Sequence, residues 1–264
     1  MTAITSDVRV RVGPLLRSWR QRRRLSQLEL ALDAGVSARH LSFVETGRAR
    51  PSETMVLHLA EQLDVPLRAR NDLLLAAGYA PVYGQRSLDA PELEPVKTAI
   101  DQLLEAHEPF PALVVDRGWN LLAANSALAA LTRDVAPHLL EPPANTLRIA
   151  LHPDGMAPRI ENLPEWRAQL LEDLSRSLAA TGDRQLQQLY DELAELPGGS
   201  APAAPLDLAA GEIAVPLRIR HGDAELSFIS TLTTFGTAVD VTVSELSIEA
   251  FFPADRATAD FLRR

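Results

Sequence analysis

The sequence predicts an α+β chain in two parts: an all-helical N-terminal part, then a mixed domain that closes on an antiparallel sheet. Three observations carry that expectation. Five amphipathic helical patterns fill the first eighty residues, while two strand patterns around a tight turn and three later ones over 213–252 mark the sheet. Charge divides the chain in the same place. Residues 1–86 carry 13 Arg against 8 acids, a net of +5, and the remainder carries a net of −14.

The first helix is predicted from Val12, Leu15, Leu16 and Trp19, which form one apolar stripe closed by the basic run RQRRR (20–24). Ser26 and Glu29 in SQLE make a capping box for a second helix over 28–34, which Gly35 ends. Ser37 caps a third helix with Leu41 and Val44 facing inward, and Gly47 ends it. A fourth packs through Val56, Leu59, Ala60 and Leu63, and a fifth, RNDLLLAAGY, stops near Gly78. Two short helices joined by a Gly-containing turn are the helix-turn-helix plan, in which the start of the second helix reaches base edges.

SQLELALDAGVSARHLSFVETGRARPS resembles the XRE (phage-repressor, lambda-repressor-like) helix-turn-helix family, through Gln27, Glu29, Ala31, Gly35, Ser37, Glu45, Gly47 and Pro51. The match spans roughly residues 12–66. It implies that Gln27 and Ser37 contact phosphate, that Ala38, Arg39 and Phe43 face bases, and that Arg20 and Glu45 form an internal ion pair. Arg39 is the foremost base reader, since Arg to guanine is the commonest specific contact. Phe43 suits a thymine methyl or supports the helix. Arg48 and Arg50, just past the helix, suit phosphates. A global charge of −9 does not oppose double-stranded DNA as partner, because screening over about 8 Å isolates a local basic patch from distant acids.

Residues 81–94, rich in Pro and polar residues, are expected to link a domain over 1–80 to one over 95–264. The second domain should open with a helix bearing Val96, Ile100, Leu103, Leu104 and His107 on one face, with His107 at its end. In PALVVDRGWNLLAANSALAAL, strands are expected at 113–115 and 119–123, with Asn125 capping the next helix. Strands at 213–221, 224–235 and 241–252 complete an antiparallel meander. In the last, the apolar residues switch from odd (Val241, Val243) to even (Leu246, Ile248, Phe252), which predicts a bulge or a change of buried face near 244–245. LPGGSAPAAPLDLAAG (196–211) reads as a mobile loop.

The order strand, turn, strand, Asn, helical middle and meander is similar to a PAS-type sensor. The stretches PALVVDRGWNLLAAN, NTLRIALHPDGMAPRIENLPEW and FGTAVDVTVSELSIEAFFPAD resemble the ligand-binding domain of MmyB-like transcription regulators. That resemblance implies a PAS-like fold around a small apolar, fatty-acid-like ligand. Candidate pocket residues are Leu113, Trp119, Leu121, Phe228 and Ile248 from the sheet, and His152, Asn162 and Trp166 as anchors. Arg148 or Arg167 is a possible carboxylate partner. Each also has a structural reading: Asn145 and Asn162 as helix caps, Trp166 as core, His152 in a turn.

With no cysteine, disulfides, thiolate metal sites and thiol nucleophiles are excluded. GxSxG, HExxH and phosphate-loop motifs do not occur, so no enzyme, metal or cofactor is expected. Without a leader or a run of ~18 apolar residues, the expectation is a cytoplasmic protein with no membrane partner. The sequence thus predicts a ligand-controlled DNA-binding regulator, a repressor acting as a homodimer on a pseudo-palindromic operator. The alternative is a regulator whose C-terminal domain only dimerises or recruits a partner, without a ligand.

Overall fold

The computed structural model of the chain describes residues 11–199 and 214–263. The chain divides into two compact units, the first built on residues up to Gln85 and the second on Arg86 onward.

The first unit holds five helices: α1 (Val12–Arg22), α2 (Gln27–Asp33), α3 (Ala38–Glu45), α4 (Glu53–Gln62) and α5 (Leu67–Ala77). Their starts follow local chemistry. Ser26 and Glu29 complete the capping box, Ser37 accepts from the His40 N–H, and Ser52 accepts from the Met55 N–H. Gly35 turns α2 into α3 at φ +62°, a conformation open to Gly at little cost. Leu16, Leu30, Leu41, Val56, Leu59 and Leu74 are almost fully buried in one core, each contributing roughly 1.5–3 kcal/mol by leaving water. Gly13 lets α1 lie directly on α3: a Cβ there would stand 2.5 Å from the carbonyl oxygens of Val44 and Glu45.

The second unit begins with α6 (Glu94–Ala106), β1 (Ala112–Val115) and β2 (Leu121–Ala124). A helical middle follows: α7 (Leu128–Leu131), α8 (Pro137–Leu140), α9 (Thr146–Leu151), α10 (Leu163–Thr181) and α11 (Arg184–Glu195). It closes with β3 (Leu217–His221), β4 (Ala224–Thr234), α12 (Val241–Ser244), β5 (Ser247–Pro253) and α13 (Arg256–Leu262). The five strands form one antiparallel sheet in the order β2-β1-β5-β4-β3, so the last strand lies beside the first. One sheet face, with Ala112, Val114 and Ile248, packs on Ile100 and Leu104 of α6. The other, with Leu113, Phe228 and Phe251, packs on the helical middle through residues such as Trp166 and Leu170.

Several expectations are corrected. Val241 and Val243 belong to a helical turn, not to the last strand, and β5 starts only at Ser247. The odd-to-even switch is therefore a change from helix to strand, and no bulge is needed at 244–245. The irregularity lies instead in the first hairpin, between Val114 and Val115. Trp119 is not a strand residue either. The Asp116 carboxylate accepts from the N–H groups of Gly118 and Asn120, and Trp119 takes the left-handed position of that turn at φ +63°. Asn125 does not cap a helix. Its amide donates to the carbonyls of Leu104 and Phe110 and its oxygen accepts from the Ala112 N–H, which fastens the start of β1 to the end of α6. His107 does end α6, bonding the Phe251 carbonyl at 3.0 Å, but Leu103 is half exposed. Most of the loop expected at 196–211, and Ile213 of the expected third strand, lie outside the described residues.

Candidate functional site

Helix α3 sets exposed Arg39 and half-buried Phe43 four residues apart and so on one side of the helix. The Arg39 guanidinium lies 5.4 Å from the Phe43 ring centroid, a cation–π contact that orders the long side chain. Ser37 caps this helix through its hydroxyl, and Ala38 packs against the core at its first turn. Arg48 is exposed beyond the C-terminal end of α3. Arg50 is exposed but anchored: it donates to the Ala77 carbonyl at 3.2 Å and stacks on Tyr79, tying the loop after α3 to the end of α5.

Beneath that face, Arg20 and Glu45 form a two-pronged ion pair at 2.7 and 2.9 Å, both buried. Gln27 donates to the same Glu45 carboxylate at 2.8 Å, so the amide expected at phosphate has an internal partner. Burial pushes the Glu45 carboxyl up, yet hydrogen bonds from Arg20 and Gln27, with the charges of Arg20 and Arg17, outweigh it and hold the group below its usual range. These contacts join α1, α2 and α3 into one frame that sets that face.

The second unit encloses an apolar cavity between the sheet and α7–α10. The space open to the centre of a water molecule is ≈ 120 Å³. Leu113, Leu121, Leu147, Ile149, Trp166 and Phe251 form much of its wall, and Leu140, 40% exposed, sits on its rim. Of the side chains expected to line a pocket, the structure brings Leu113, Leu121 and Trp166 to this one, while Ile248 packs against α6 on the other face of the sheet. The remaining candidates are engaged elsewhere. The Trp119 carbonyl accepts from the Thr146 N–H and hydroxyl. Arg148 forms a two-pronged pair with Glu192 at 2.7 Å on the surface, a contact type contributing about 0–1 kcal/mol. His152 ends α9, its Nδ1 accepting from the Asp154 N–H. Asn162 clasps the chain entering β3, donating to the Pro216 carbonyl and accepting from the Arg218 N–H. Phe228 is fully buried, edge-on to Phe251. Arg167, the second expected carboxylate partner, donates to the carbonyls of Leu193, Ala194, Leu196 and Gly199, gathering the end of α11 and the following turn onto α10. Asn145 is the cap that the sequence allowed, accepting from the Arg148 N–H.

Sequence reasoning missed Glu249. It lies on β5 with its side chain on the cavity wall, 9% exposed, and is the one ionisable group among the described lining residues. Burial pushes its carboxyl up to about 7, opposed by a hydrogen bond to Ser230 and assisted by the charge of Asp173. The signal was an acid at an inward strand position between Ile248 and Phe251. It was hidden because both faces of β5 are covered, so even and odd positions alike read as apolar.

Among the described residues, His138, His152 and Asp154 stand close enough to share one ion, the carboxylate 4.0 and 3.9 Å from the two rings. The group lies at the surface, with no buried donor. No helix among the described residues is long and apolar enough to cross a membrane.

Two family models match the chain. Residues 96–264 match the MmyB-like transcription regulator ligand binding domain, and residues 16–69 match a helix-turn-helix. No curated protein matches it.

Proposed function

Because the chain belongs to the MmyB-like transcription regulators, we propose that the apolar cavity of its second unit receives a small ligand whose binding controls the hold of the first unit on DNA. The chain is a DNA-binding transcription regulator, and its family is one of regulators rather than enzymes. The cavity between the sheet and α7–α10, walled by Leu, Ile and aromatic side chains, is the observation that carries the ligand reading. In this reading residues 1–80 read the operator, 81–94 connect, and 95–264 sense.

Arg39 and Phe43 enter the major groove, and Ser37, Arg48 and Arg50 hold phosphates, with Gln27 bracing the helix from behind through Glu45. The protein acts in the cytoplasm as a homodimer on a pseudo-palindromic operator and represses transcription. The ligand changes DNA affinity to the extent that it binds the DNA-competent and incompetent states unequally. A fatty-acid-like molecule suits the apolar walls, but the guanidinium groups of Arg148 and Arg167 bind Glu192 and backbone carbonyls, so neither stands ready for its carboxylate.

Mass spectrometry of the denatured, freshly purified protein tests the reading. A stoichiometric co-purifying amphiphile, lost when Ala150→Trp fills the cavity, is the expected result. Failure of the purified protein either to carry such a molecule or to take one up from host extract would leave the second unit as a dimerisation or partner-recruiting domain.

A further inference from the structure

The cavity has one polar feature of consequence. The hydroxyls of Thr132 and Thr146 line it but donate to the backbone carbonyls of Leu128 and Trp119. Glu249 has no such closure. Its neighbours across the sheet in register are Leu113 and Leu232, and its side chain hydrogen-bonds with Ser230. A carboxylate offers about four acceptor sites, so most of its capacity faces apolar wall and cavity. Among the described residues, no cationic side chain pairs with it. A buried carboxyl left in this state is costly to the fold, and a partner arriving with the ligand removes that cost.

We infer that the cavity selects an amphiphile whose head group donates hydrogen bonds, a long-chain alcohol or amine rather than a fatty acid, with Glu249 as the head-group partner and the apolar wall holding the tail. This rests on the reading of the cavity as the ligand site. The choice of head group follows from charge. Where Glu249 is ionised, a carboxylate ligand would bring a second negative charge into a low-dielectric cavity in which no cation among the described lining residues offsets either one. A hydroxyl donates to the Glu249 carboxylate, and an ammonium forms the stronger, charge-assisted bond. The tail meets Leu113, Leu147, Ile149 and Trp166, and Leu140 on the rim marks the side of entry.

Calorimetric titration of the full chain with octylamine, octanol and octanoate at about pH 8.5, where Glu249 is ionised and the amine still charged, tests this, because the three probes share one tail and differ only in the head. The alcohol and the amine should each bind about tenfold or more tightly than the carboxylate. In Glu249→Gln, close in shape and uncharged, the amine should lose about tenfold or more, and the order of the three should collapse. Ala150→Trp should abolish binding of all three, which separates cavity binding from adsorption of an amine on an acidic protein. Octanoate binding as tightly as the other two, or an unchanged order in Glu249→Gln, overturns the head-group assignment and leaves the ligand cavity standing. Binding of none of the three, or equal binding to Ala150→Trp, overturns the cavity reading itself. Should Glu249→Gln not fold, the order measured on the natural chain decides alone.

Discussion

Arg39 owes its place at the candidate interface to two neighbours: Ser37, which starts the helix, and Phe43, over whose ring the guanidinium lies at 5.4 Å. A side chain ordered in this way loses less freedom on meeting a base. Arg39→Ala is therefore expected to cost about 1–3 kcal/mol on the operator and to relax preference at one base pair. Anisotropy titrations on the operator and on scrambled DNA check this, and an equal loss on both would make Arg39 a phosphate contact. Glu249 gives a prediction about pH. Its carboxyl, ordinarily near 4.5, is pushed up to about 7 by burial, with Ser230 acting against the shift and Asp173 with it. Between those values the folded chain keeps a proton that the unfolded chain has lost. Its contribution to stability is thus full below pH 4.5, falls as pH rises to about 7, and is flat above. Relative to Glu249→Gln, the natural chain should lose on the order of 3 kcal/mol across that window. Denaturation of both proteins at several pH values measures the gap, and a constant gap would contradict the burial argument. That Arg39 and Phe43 share one side of α3 was legible because helix register alone places them. The polar pocket candidates were not: whether Arg148 and Asn162 face a cavity or a neighbouring segment depends on Glu192 and Pro216, 44 and 54 residues away.

At the scale of elements, the crossing of α1 over α3 depends on Gly13, where a Cβ would stand 2.5 Å from two carbonyl oxygens. Backbone cannot yield there as a flexible side chain would. Gly13→Ala should therefore cost roughly 1–3 kcal/mol, the range of an overpacked contact. The helices would also be pushed apart at the point where Arg20 meets Glu45. Thermal melts should show a drop of several degrees, and an unchanged melting temperature would mean that α1 can shift without loss. Helix starts at Ser26 and Ser37 were readable in advance because cap and partner lie within three residues. Asn125 misled for the complementary reason. Its cap-like position before a helix is real, but its side chain's three hydrogen bonds run to Leu104, Phe110 and Ala112, which only the folded chain brings near. The helical turn over Val241–Ser244 escaped because four β-branched or small residues ahead of a strand carry strand propensity, which tertiary context overrode.

The chain joins a basic N-terminal unit to an acidic second unit, a division that charge and hydrophobic period predict without any coordinates. What the sequence left closed was the polarity of the second unit's interior. The family resemblance suggested a cavity suited to a carboxylate, whereas the fold engages both candidate arginines elsewhere and sets an acid in the wall. The central claim is that occupancy of this cavity sets affinity for DNA. The most direct test titrates the natural chain and Ala150→Trp, at one fixed salt concentration, against DNA from upstream of the protein's own gene, with and without octanol. The account predicts a change of about fivefold or more in Kd for the natural chain and none for the filled variant. Equal affinities with and without octanol in the natural chain, under conditions where calorimetry shows the cavity occupied, would contradict it.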